Sequence, residues 1–259
     1  MKQIRHLLRT CYKAHKDHQD TVLIITGNEG IGKSNLLLDI IEEWEHITGE
    51  TFTIENVGLT QEQWIHAISI AKKEVGIAPF DEAGDGLLSR DAMSDFNRDV
   101  VKMYIVIRGL SLLTVLVLPS FWYLDKFFRM HRVRGLFFVY SRGRVAFWNK
   151  RQVKKIIMKG DDNQDVWVAK PSFRDSFPFY TGHLREGYDK RKAEKIASVT
   201  KAMKEKYATG EATLTDKQRY VTEELRLGKT EQMIADDMGI TRQAVNALRS
   251  GARKKGVEI

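Results

Sequence analysis

Apolar residues recur along this chain with two different periods, and the switches between them outline the order of elements. Ile4, Leu7, Leu8 and Cys11 have helical spacing, which predicts a short basic amphipathic helix. Residues 21–26 (TVLIIT) are apolar on successive positions, as expected of a strand in a sheet covered on both faces. After a glycine-rich stretch, Leu36, Leu37, Leu38, Ile40 and Ile41 predict a helix running toward Trp44. Residues 51–57 (TFTIENV) have strand character. Thr60 and Gln63 then form a capping box for a helix that buries Trp64, Ile65, Ile68 and Ala71 and ends near Gly76. Residues 77–80 predict a third strand, residues 91–109 a helix on Met93, Phe96, Val100, Met103 and Ile107, and residues 112–118 (LLTVLVL) a buried strand.

Farther on, residues 120–131 predict a helix, and residues 135–140 and 144–148 a hairpin around Ser141, Arg142 and Gly143. Strands alternating with helices imply an α/β fold, a mostly parallel sheet in a three-layered arrangement. Pro119 falls at a strand exit, where no ladder donor is needed, whereas Pro79 lies inside the third strand and is a defect there. Residues 150–181 show no regular pattern. They contain a charged turn at 160–163 and an aromatic stretch at 171–180 (PSFRDSFPFY). A long basic helix is expected over 184–207 and a linker over 208–212. The domains that follow are a core (1–160), an extension with the basic helix and linker (161–211), and a small all-α C-terminal domain (212–259).

Between the first strand and the first core helix stand Gly27, Asn28, Glu29, Gly30, Ile31, Gly32, Lys33 and Ser34, a full match to the P-loop pattern G-x-x-x-x-G-K-S/T in its required strand–turn–helix context. Glycines there let successive backbone N–H groups turn inward toward phosphate oxygens, with the positive end of the helix behind them. Lys33 is expected at the β- and γ-phosphates of ATP and the Ser34 hydroxyl on Mg²⁺. The third strand ends in Asp81 and Glu82, placing Asp81 to hold Mg²⁺ through water and Glu82 to polarise the attacking water. Ser120 is a candidate γ-phosphate sensor. Arg90, Arg98, Arg108, Arg129 and Arg132 are candidates for an arginine finger acting on a neighbouring subunit.

Residues 231–248 (EQMIADDMGITRQAVNAL) carry a second signature. Ala235 is small where two helices would touch, Gly239 can take positive φ at the bend, and Ile234, Met238, Ile240, Val245 and Leu248 face inward. The pattern is that of a helix-turn-helix, with residues 215–227 as its supporting helix. Thr241 would cap the second helix and, with Arg242, Gln243, Asn246 and Arg249, present side chains suited to base edges and phosphates of DNA. Arg253, Lys254 and Lys255 add a basic tail. A helical hairpin for protein contacts is the alternative.

Charge agrees with a polyanionic partner: the chain carries a formal +8 with a pI of about 9.4. Cys11, the single cysteine, excludes an internal disulfide and fits a reducing compartment. The first 18 residues are too basic for a secretory signal, and the apolar run at 110–124 is shorter than the ~20 residues of a membrane helix. A cytoplasmic protein without a membrane partner is expected.

Residues 21–148 resemble the RecA-like P-loop ATPases of the additional-strand group, nearest the FtsK/HerA and Zot-like ATPases of viruses, plasmids and integrative elements. The likeness is carried by GNEGIGKS, by the acidic pair in PFDEAGDGLLSRD and by LLTVLVLPSFWYLDKFFR; the tract SFPFYTGHLREGYDKRK is similar to one that follows the core in some of these elements. The tail resembles the helix-turn-helix of sigma factors and resolvases. These resemblances imply a homo-oligomeric ring or filament that couples ATP hydrolysis to DNA translocation or remodelling. An AAA+ replication initiator or loader and an ATP-switched transcription regulator are the competing functions. The first would place a helical lid where the hairpin is predicted, and the second would bind one sequence tightly and hydrolyse ATP slowly.

Overall fold

The computed structural model describes residues 1–81, 108–208 and 214–257. Contacts divide the chain into two units, Met1–Arg191 and Lys192–Ile259.

At the centre of the first unit is β1 (Thr21–Gly27), buried along its whole length. Its side chains alternate between two cores: Leu23 and Ile25 face one, Val22 and Ile24 the other. That period of two explains the unbroken apolar run, because helices cover both faces. Parallel neighbours flank it, β3 (Leu113–Val117) on one side and β4 (Val133–Ser141) on the other. Beyond β3 lies β2 (Ile77–Phe80), also parallel. Beyond β4 lie two antiparallel pairings, to β5 (Arg144–Asn149) and then β6 (Phe173–Ser176). The order is β2-β3-β1-β4-β5-β6, a mixed and mostly parallel six-stranded sheet.

Helices α1 (Lys2–Lys16) and α2 (Lys33–Thr48) pack on one face, with Tyr180, Leu184 and Tyr188 completing that core. On the other face lie α3 (Gln61–Ser69), α4 (Lys126–His131) and α5 (Lys150–Gly160). The first unit is thus a helix–sheet–helix arrangement of three layers, as the alternation of elements predicts.

Several local expectations are corrected. Residues 51–57 do not form a strand. Asn56 Oδ1 accepts from the Thr53 amide at 2.9 Å and the Thr53 hydroxyl accepts from the Glu55 amide, so side chains draw the backbone into a 3₁₀ turn, Ile54–Asn56. Only Gly58 reaches the sheet, as an isolated bridge to Phe80. This leaves β2 as the outermost strand, which is why Pro79 is tolerated there. Ile65 is exposed, because the face of α3 centred on Trp64, Ala67 and Ile68 is the one buried.

The helix expected over 120–131 is broken into a 3₁₀ turn, Phe121–Tyr123, and α4, since Asp125 accepts from the amides of Phe127 and Phe128 and starts a new helix. Residues 150–181 are not irregular. They hold α5, capped by Asn149 and Gln152, and the strand β6, so the sheet extends past residue 160. The helix expected over 91–109 lies outside the described residues except at its end, where a 3₁₀ turn spans Arg108–Leu110.

Helix α6 (Arg185–Ala208) starts in the first unit. The second unit also contains α7 (Asp216–Arg226), α8 (Glu231–Met238) and α9 (Arg242–Lys254), packed around Val221, Ile234, Ala235 and Val245. Among the described residues no helix is long and apolar enough to cross a membrane.

Candidate nucleotide site and candidate DNA surface

β1, β2, β3 and β4 run in one direction, so their C-terminal ends open on a common edge of the sheet. The connection after β1 leaves to the face that carries α2 and the connection after β3 to the face that carries α4, so a crevice opens between these two adjacent strand ends. In parallel α/β sheets, that crevice is where ligands bind. The eight residues from Gly27 to Ser34 occupy it. Gly27, Gly30 and Gly32 have φ of +144°, +68° and +101°, values that only glycine adopts without strain. At Gly27 there is no room for any side chain, since a Cβ would lie 2.4 Å from the Val139 carbonyl oxygen. The loop can therefore sit flush on β4.

Gly32 opens α2 with no side-chain cap, so the orphan amides that begin any helix are directed toward the loop. Lys33 folds back across it, its ammonium donating to the carbonyls of Gly27 at 2.7 Å and Asn28 at 2.8 Å. Gly27 is buried, Asn28, Glu29 and Gly30 are exposed, and Ile31, Gly32, Lys33 and Ser34 are half-buried.

Asp81 follows β2 on the same edge, with β3 between its strand and the loop's strand. It is buried, its amide donates to the Gly58 carbonyl at 2.9 Å, and its carboxylate accepts from the Tyr188 hydroxyl of α6. Tyr188 carries no catalytic signature in sequence, although Leu184 and Tyr188, four apart at the start of a polar helix, mark its one buried stripe. Ser120 lies between β1 and β2 at the end of β3, its hydroxyl accepting from the Trp122 amide at 3.3 Å, and the Thr26 hydroxyl donates to the Pro119 carbonyl at 3.1 Å. Glu82, Arg90 and Arg98 lie outside the described residues. Arg129 is buried under Phe121 and Trp122 and bonded to Asp161 at 2.8 Å, and Arg132 bonds Asp20 at 2.6 Å, so both serve their own fold.

Two concavities flank the loop. One, of about 320 Å³, lies beside Thr26, Gly27, Asn28 and Ser120; the other, of about 390 Å³, lies beside Gly30, Gly32 and Asn35. The first abuts the ends of β1 and β3 and is closed by Phe138 and by residues 164–167. The second abuts the β4–β5 turn.

A nucleotide and Mg²⁺ fit this donor set: a cradle that excludes side chains, a folded-back lysine, a hydroxyl at Ser34 and a buried carboxylate at Asp81. Among the described residues no cluster of three or more His, Cys, Asp or Glu is placed to hold a metal ion.

In the second unit, α8 and α9 meet at a turn where Gly239 has φ +63° and the Ile240 amide donates to the Ala235 carbonyl at 3.0 Å. Thr241 caps α9 through the Ala244 amide at 3.2 Å. Arg242, Gln243 and Asn246 are exposed and Arg249 is half-buried. Sequence patterning alone does not reveal that Glu231, at the start of α8, holds both arginines, accepting from Arg249 at 2.8 Å and from Arg242 at 3.5 Å. Arg249, with Arg242 beside it, keeps the Glu231 carboxyl below the usual carboxylate range. No family model, curated protein or solved structure matches the chain.

Proposed function

We propose that the chain is a P-loop ATPase that acts on DNA, a translocating or remodelling motor whose C-terminal helices supply the contact with the duplex. The observation that carries this reading is the loop Gly27–Ser34. Its glycines take left-handed backbone and a side-chain-free approach to β4, at the crevice between the ends of β1 and β3, with Lys33 lying across it. The strand interposed between the loop strand and the Asp81 strand supports an additional-strand ATPase.

When bound, Mg²⁺-ATP supplies the phosphoanhydride and the divalent charge. The loop amides would bind the phosphate oxygens, and the Lys33 ammonium would donate to them as well. Ser34 and Asp81 would hold the cation, and Glu82 would polarise the attacking water. Tyr188 orients the Asp81 carboxylate by donating to it. The β4–β5 hairpin stands where an initiator or loader would carry a helical lid, which favours the motor.

At the DNA, Arg242, Gln243, Asn246 and Arg249 with Thr241 form the reading face, and a homo-oligomer in the cytoplasm provides the working assembly. The deciding measurement is the ATPase rate with and without duplex DNA for the full chain and for Lys33→Ala. We expect stimulation by DNA and a loss of turnover in the variant of about 10²-fold or more. Normal turnover in Lys33→Ala would remove the site. A slow rate indifferent to DNA, with tight binding to one sequence, would make the protein an ATP-switched regulator instead.

A further inference from the structure

Resting on that reading of the loop, we propose that the concavity between the loop and the β4–β5 turn is the base subsite, and that it takes a purine stacked on Phe179. If Lys33 and Ser34 serve the β- and γ-phosphates, the γ end of the nucleotide faces Asp81 and Ser120. The α-phosphate, ribose and base then extend to the other side of the loop, past Ser34 toward Asn35. The cavity on that side, about 390 Å³, is within the ~300–1,000 Å³ common for ligand pockets and is lined by Gly32, Asn35, Arg142, Phe177 and Phe179 among others.

Its parts are held in place. The Phe177 amide donates to the Gly143 carbonyl at 2.9 Å, fixing the tract after β6 against the β4–β5 turn. The Phe177 ring is buried and lies 3.8 Å from where a Cβ on Gly32 would stand, forming a floor directly under the loop. Phe179, two residues on, is 64% exposed, an aromatic ring left in water at the rim of a pocket. The Arg185 guanidinium sits 4.7 Å from its centroid and is itself tied to Asn35 Oδ1 at 2.9 Å and to Asp189 at 2.7 Å. An exposed ring with a cation beside it is a platform on which a base can stack. Arg142, Arg185 and Asn35 put hydrogen-bond donors and acceptors around it, which suit the nitrogen-rich edges of a purine, and the purine's larger π face covers more of the ring than a pyrimidine's does.

The test is titration of the full-length protein, in Mg²⁺, with ATP, CTP and inorganic tripolyphosphate. Wild type is expected to bind ATP more tightly than CTP. Phe179→Ala should weaken ATP about tenfold while keeping tripolyphosphate affinity, and Phe179→Trp should restore ATP. Retained tripolyphosphate binding also establishes that the Ala variant is folded. Lys33→Ala should lose both ligands. If Phe179→Ala binds ATP as wild type does while Lys33→Ala loses it, the base lies elsewhere and the loop reading stands. If wild type binds neither ATP nor tripolyphosphate, the loop reading fails and the base subsite falls with it.

Discussion

In the loop after β1, Lys33 folds back to donate to the backbone carbonyls of Gly27 and Asn28; in the C-terminal helices, Arg242 and Arg249 share one carboxylate, Glu231. The two regions also differ in what stands behind them. The loop is anchored to a sheet with a large core on each face, whereas α8 and α9 rest on a core of four buried side chains. A cation folded back over a glycine loop in a rigid frame is already positioned beside the backbone amides that would meet an anion. Guanidiniums on a carboxylate must break charged pairs first, so binding there is attenuated by the protein's own acid.

The sharpest way to separate the regions is to remove the small core. Ile234→Ala deletes one of its four buried residues and should destabilise the second unit by about 2–5 kcal/mol. DNA binding should vanish while nucleotide binding persists, and a parallel loss of nucleotide affinity would show that the units are energetically one.

Gly27→Ala attacks the frame of the loop instead. With a Cβ meeting the Val139 carbonyl and φ at +144°, it should cost about 2–3 kcal/mol and abolish nucleotide binding before it abolishes folding. A variant that binds ATP normally would mean that flush contact with β4 is dispensable.

Asp39, on α2 behind the loop, reports on the core itself. Burial, with Glu42 and Glu43 adding to it, pushes its carboxyl up to about 7, and its Oδ2 finds no hydrogen-bond partner among the described residues. A raised folded-state value means that the folded chain keeps a proton the unfolded chain gives up. The associated stability is present below the ordinary carboxylate value near 4 and is lost as pH rises through 7. Asp39→Asn should therefore gain about 1 kcal/mol or more over wild type at pH 8 and nothing at pH 4, read as the pH dependence of Tm. An equal effect at both pH values would remove titration as the cause.

Tyr188→Phe should leave ATP affinity intact and lower turnover about tenfold, since a hydrogen bond to a carboxylate is worth about 1.5–3 kcal/mol when made to a charged group. Unchanged turnover would reduce Tyr188 to packing. The smallest effect is expected for Glu231→Gln: freeing Arg242 and Arg249 from surface pairs should raise duplex affinity about threefold at low salt. A fall in affinity would show that Glu231 aims the arginines rather than competing for them.

Much of the frame is legible in sequence because it depends on local patterns. The apolar run of β1, the glycines and Lys33 of the loop, and the spacing from Glu231 to Leu248 each specify a conformation from neighbours within a few residues. Capping chemistry redirects the chain where pattern alone misleads, as Thr53 with Asn56 and Asp125 do. The strand β6 was hidden because its burial alternates weakly over four residues, FRDS, at the sheet's far edge. It is fixed by pairing with β5 and by Asp175, which accepts from the amides of Gln3 and Ile4 and caps α1 from across the chain.

By itself the sequence determined a strand–glycine loop–helix, an acid ending a short strand and a small-residue turn between two C-terminal helices, since each is set by backbone preference and apolar period. Only the tertiary structure decided that Tyr188 would reach Asp81, that Phe177 and Phe179 would come beside the loop, and that Glu231 would take both arginines. Those partners come from distant turns of chain or from a particular rotamer, and no local pattern encodes which side chains a packed sheet and its helices bring within hydrogen-bonding range.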